Sequence, residues 1–191
     1  TIDGLTSDAT FTLTGITSTG YVFDYSLSNT GSMGIDSRVS SFAFNVDPAI
    51  TSATSTGAFD YTVLSSKYPN GIGTVDVCFK DGSSASCGGN SGGVLTGDTG
   101  TGTLTLEFAS APASITLSDF FVRYQSITGA GSVTSASGTG TITSSGSSTS
   151  STSGGTDVPE PGMLGIFGLG LAGLGFARSR RRQATQRLAA A

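Results

Sequence analysis

The chain has 191 residues, with 31 Ser, 28 Thr and 29 Gly, charged residues at only 12% and neither His nor Trp; this is the length of one domain, in a composition that suits short β-branched strands and turns rather than helical bundles. Without His there is no Ser-His-Asp triad, no Cys-His nucleophile pair and no His-bearing zinc site. The net charge of −4 divides into twelve carboxylates against four cations over residues 1–157 and five Arg against Glu160 beyond them, an acidic body that argues against nucleic-acid binding.

The chain opens at Thr1 rather than Met, from which a removed signal peptide is inferred. Residues 1–128 then read as strand after strand. Tyr21, Phe23, Tyr25 and Leu27 alternate with Val22, Asp24, Ser26 and Ser28, and Phe42, Phe44 and Val46 with Ala43, Asn45 and Asp47. Similar runs are Phe59-Tyr61-Val63, Val75-Val77-Phe79, Leu104-Leu106-Phe108 and Phe121-Arg123-Gln125. A period of two sends one set into a core and the other to solvent. Turn signals such as Asn29-Thr30-Gly31-Ser32 and Pro69-Asn70-Gly71 separate the runs. Eight or nine strands predict an all-β domain over residues 1–143, an antiparallel β-sandwich with a jelly-roll-like barrel as the alternative. No helix longer than a turn or two is expected there. Residues 132–143 read equally as a last weak strand or as the start of a spacer.

Cys78 and Cys87 are the two cysteines, and in an exported protein such a pair is expected to oxidise to a disulfide. Placed across a hairpin, they put Gly82-Ser83 at the centre of a two-residue turn. Cys78 alternates with Val77 and Phe79, so the bridge is expected on the solvent side. Gly89-Asn90-Ser91-Gly92-Gly93 resembles the serine loop of trypsin-like proteases, but with no His to activate Ser91 it reads as a glycine-rich loop. Asp36, Asp47, Asp81 and Asp98 sit singly in turns, and no D-x-D-x-D-G calcium loop is present. No two carboxylates have a spacing that argues for paired acid–base work. The expectation is a protein that is not an enzyme, with no cofactor and no metal.

Residues 144–157 lack any apolar side chain up to Asp157 and read as a flexible spacer. Then come Val158, Pro159, Glu160 and Pro161, an uncharged apolar run over residues 163–177, and Arg178, Arg180, Arg181 and Arg182. As a helix the run would be about 22 Å long, short for a bilayer core of about 30 Å, with snorkelling Arg side chains and local thinning absorbing the difference. The arginines then mark the cytoplasmic side of a transmembrane helix.

This three-part order resembles the PEP-CTERM sorting signal, over residues 158–182. The resemblance implies export by the Sec route and recognition of Pro159-Glu160-Pro161 by an exosortase. It further implies cleavage nearby and passage from an inner-membrane intermediate to the cell surface or extracellular matrix. Residues 183–191 form a short tail beyond the arginines, which that family usually lacks. Val75-Asp76-Val77-Cys78, Cys87-Gly88-Gly89 and Phe121-Val122-Arg123-Tyr124-Gln125-Ser126 also resemble the ectodomains of cistern-family PEP-CTERM proteins. The expected function is that of a non-enzymatic surface or matrix protein of biofilm or floc. The alternatives are a carbohydrate-binding module for exopolysaccharide and a self-assembling fibre subunit, the latter through open sheet edges.

Overall fold

Alternation of large apolar with small polar residues dictates the central strands. In the computed structural model, which describes residues 1–89 and 92–143, Gly20–Asn29 forms strand β2, with Tyr21, Phe23, Tyr25 and Leu27 buried. It lies between β1 (Ser7–Ile16) and β8 (Thr99–Glu107), and β4 (Ser52–Ser55) closes the far side of β8. This four-stranded sheet runs β1-β2-β8-β4, all antiparallel.

The second sheet is built around β3 (Asp36–Asp47), whose Phe42, Phe44 and Val46 are buried. Its order is β10-β9-β3-β6-β5, from β10 (Ser135–Thr139), β9 (Thr116–Thr128), β6 (Gly73–Lys80) and β5 (Tyr61–Tyr68). A short β7 (Val94–Leu95) also pairs with β3. Rings from the two sheets meet directly: Phe42 lies 5.5 Å from Tyr25 of the other sheet and 5.1 Å from Phe79 of its own. One core between two antiparallel sheets is the arrangement of a β-sandwich.

Several expectations are met at the level of single side chains. Tyr21 to Leu27, Phe42 to Val46, Val75 to Phe79 and Leu104 to Phe108 all supply buried apolar positions. Asn70 and Gly71 both take positive φ, at 63° and 76°, in the β5–β6 connection. Residues 132–143 contain a true strand, since β10 pairs along β9 from Ser135–Gln125 to Thr139–Phe121.

Other expectations are corrected. Phe59 belongs to a single 3₁₀ turn, Gly57–Phe59, and is fully buried, while Tyr61 is 42% exposed. The alternation drawn from Phe59 through Val63 therefore spans two elements. Cys78 and Cys87 do not face each other across a hairpin. After Lys80 the chain leaves the sheet, and the strand that follows, β7, pairs with β3 rather than with β6. Nor does Cys78 face solvent, because the segment after β6 folds back over that side of the sheet and both cysteines are fully buried.

The spacer expected over 144–157, the sorting segment over 158–182 with its helix at 163–177, and the tail over 183–191 lie outside the described residues. So do Asn90 and Ser91. Among the described residues no helix is long and apolar enough to cross a membrane.

Candidate functional site

The six-stranded sheet carries a second, smaller apolar cluster on the face turned away from the main core. Register places Phe121, Ala43, Cys78 and Val63 side by side across β9, β3, β6 and β5. Ala43, Tyr68, Val75, Cys78 and Cys87 are its buried members, with Val63, Ile72 and Phe121 packed against them. A sheet face this apolar needs a cover. Tyr68 and the connection between β6 and β7 provide it.

Several described residues of that connection are seated on β3. Ser41 Oγ donates to the Cys87 carbonyl at 2.6 Å, and Ser40 Oγ to the Gly88 carbonyl at 3.0 Å. Arg38 Nη1 donates to the Gly92 carbonyl at 2.6 Å and lies 3.6 Å from the Asp81 carboxylate. The same guanidinium reaches β9 through Ser126 Oγ at 3.1 Å and Gln125 Oε1 at 2.9 Å. Gly93, at φ 100°, passes so close that a Cβ there would sit 2.2 Å from the Val39 carbonyl oxygen. Glycine is required by both the turn and the approach.

Cys78 and Cys87 are both thiols in this structure, packed in the same buried cluster and close enough for each to shift the other's titration. Burial pushes the Cys78 thiol far up, and its hydrogen bond to Cys87 reinforces this. That same bond holds the Cys87 thiol below its ordinary value against the opposing effect of burial, with help from Ser66 and the Lys80 charge. Cys78 therefore keeps its proton more firmly than Cys87 does.

Lys80 is the member of this site that sequence reasoning missed. It is 1% exposed. Its ammonium donates to the carbonyls of Gly82 and Ser84, and it stands 5.4 Å from the centre of the Tyr61 ring. Carbonyl dipoles and a ring face replace the water that the charge has lost. The signal was present in Val77-Cys78-Phe79-Lys80, because a period of two puts Lys80 on the same side as Cys78.

A separate open cleft of about 720 Å³ lies where the edges of the two sheets diverge. Phe11 and Phe120, 5.5 Å apart, contribute its apolar part, and Asp8, Thr10, Thr141 and Ile142 also line it.

The residues expected to guide sorting, Val158 to Pro161 with Arg178 and Arg180 to Arg182, fall outside the described residues. The comparison with known families bears on them instead. A family model described as the PEP-CTERM protein-sorting motif matches residues 157–182. No curated protein matches the chain. Over residues 157–182 the chain thus matches the PEP-CTERM sorting signal, the address of exported, exosortase-sorted proteins.

Proposed function

We propose that the protein is a non-enzymatic component of the cell surface or extracellular matrix, in which the β-domain is the cargo and the C-terminal segment its address. The match over residues 157–182 carries this reading. The composition supports it, since an acidic body of short strands without His offers little to catalysis. In this reading Pro159, Glu160 and Pro161 are gripped in an extended form at the membrane face, because each proline fixes its own φ and biases the residue before it away from helix. The run over 163–177 holds the chain in the inner membrane and the arginines stop it there. Intact mass of the surface-released form tests the reading. A C-terminus near residue 160 is expected, and a surface form that retains Ala191 would overturn the processing step.

The cleft favours a second reading, in which the matrix partner is exopolysaccharide. Phe11 and Phe120 offer ring surface, while Asp8 and the Thr hydroxyls offer hydrogen bonds to sugar hydroxyls. Of the five tyrosines, Tyr21, Tyr25, Tyr68 and Tyr124 are buried, which leaves Tyr61 as the exposed one. Pull-down with the native polysaccharide discriminates: retention lost in Phe120→Ala supports the cleft, and no retention of the wild type removes it.

A further inference from the structure

The segment between β6 and β7 holds two sulfurs together by contacts that do not involve sulfur. Cys78 is fixed by its place in β6, between Ala43 of β3 and Val63 of β5. Cys87 is fixed from the other side, through its own carbonyl to Ser41 and through its neighbour Gly88 to Ser40. Arg38 and the glycine contact at Gly93 fasten the far end of the segment. The backbone therefore presents the sulfurs to one another before any bond joins them, as an intramolecular reaction requires. The pair lies under Tyr68, whose hydroxyl bonds Ser41 at 3.1 Å.

We infer that in the exported protein Cys78 and Cys87 are joined by a buried disulfide that latches residues 81–89 onto the outer face of the six-stranded sheet. The inference rests on the reading that the body leaves the cytoplasm, where thiols are kept reduced. The oxidant is the disulfide of an extracytoplasmic thiol–disulfide oxidoreductase. Cys87, as thiolate, attacks one sulfur of that disulfide and forms a mixed disulfide, and the partner's other sulfur leaves and takes up a proton. Cys78 then gives up its proton and attacks the Cys87 sulfur, releasing the partner's second thiol. Two electrons and two protons pass from the cysteines to the oxidoreductase, which ends as a dithiol.

Both sulfurs are fully buried in the folded domain. The mixed disulfide therefore forms at Cys87 while the segment is open, and its closing onto Ser40 and Ser41 brings Cys78 to that sulfur and then shields the bond. The latch is permanent rather than a sensor: reductant reaches it only when the segment opens.

Mapping the surface-released protein tests this, with alkylation under denaturing, non-reducing conditions. The expected result is one cross-linked pair of peptides containing Cys78 and Cys87, lighter by two hydrogens than the reduced pair, with no alkylated cysteine. Two alkylated cysteines would overturn it. An alkaline phosphatase fusion after residue 143, assayed in parallel, separates the two possible failures. Active phosphatase with alkylated cysteines refutes the bond and leaves export standing, whereas inactive phosphatase refutes export and the latch with it. A Cys78→Ala/Cys87→Ala chain gives a second readout. Its melting temperature should fall by roughly 5–10 °C, and cleavage within residues 81–89 should accelerate about 30-fold or more. Unchanged melting and cleavage would overturn the latching role even if the bond exists.

Discussion

Phe42 is the side chain on which the two sheets meet. Its ring lies 5.6 Å from Phe11 and 5.5 Å from Tyr25 in the four-stranded sheet, 5.2 Å from Phe59 in the 3₁₀ turn, and 5.1 Å from Phe79 in its own sheet. Truncation leaves a cavity that rings from four elements cannot all collapse into, so Phe42→Ala should cost about 3–5 kcal/mol. Phe121 is the control of the same size. It packs on the outer cluster, 5.8 Å from Tyr68, and stays partly exposed. Phe121→Ala should cost only about 1–2 kcal/mol. Urea unfolding of the two variants checks the ranking, and equal losses would mean that the main core does not centre on Phe42. The sequence made Phe42 legible through the alternation of Phe42, Phe44 and Val46 with Ala43, Asn45 and Asp47. It did not make Phe59 legible, because a single 3₁₀ turn leaves no period to read. Lys80 was hidden by its type, since a lysine at a strand end is ordinarily solvated.

At the scale of elements, strands were readable wherever both sheets hold them straight, and unreadable where the backbone departs from the pleat. Ser65 in β5 and Asp119 and Ser126 in β9 take positive φ, and the β3–β9 pairing shifts register three times. Each such bulge re-aims the side chains after it, and nothing in a run of Ser, Asp and Thr announces it. The segment after β6 was misread for a related reason. Its Ser and Gly residues fit a hairpin turn as well as an irregular cover, and only tertiary contacts with β3 decide between them. Those contacts make a discriminating pair of glycine substitutions available. A Cβ at Gly93 meets the Val39 carbonyl at 2.2 Å with φ at 100°, whereas Gly97, at φ 86°, has nothing within 4 Å. Gly97→Ala should cost about 1 kcal/mol, from left-handed strain alone. Gly93→Ala adds a backbone collision and should cost about 3 kcal/mol or more, with faster proteolysis between β6 and β7. Equal costs at the two sites would show that the segment does not rest on β3 as described.

For the whole molecule, the tyrosine hydroxyls act as pins between parts of the sandwich. Tyr124 of β9 bonds Ser7 of β1 in the opposite sheet at 2.7 Å. Tyr25 of β2 donates to the Thr56 carbonyl at 2.8 Å and accepts from the Phe59 amide at 3.0 Å. Tyr68 of β5 bonds the Ser41 carbonyl of β3 at 3.1 Å. Burial raises the phenol pKa of all three, that of Tyr68 most firmly. An unfolded tyrosine ionises near pH 10, so in alkali the unfolded chain gives up these protons before the folded one does. The stabilisation from the neutral phenols is fully present below about pH 10 and is lost as pH rises toward the folded values. The slope approaches about 1.4 kcal/mol per pH unit for each phenol ionised only in the unfolded chain. The urea midpoint of the oxidised protein should therefore hold level from pH 8 to about 9.5 and fall steeply by pH 11. Tyr68→Phe lowers the midpoint at pH 8, because the Ser41 contacts go, yet makes the alkaline decline shallower, because one titrating group is gone. A Tyr68→Phe curve parallel to the wild type across that range would remove Tyr68 from the set of pins and leave Tyr25 and Tyr124 to account for the fall.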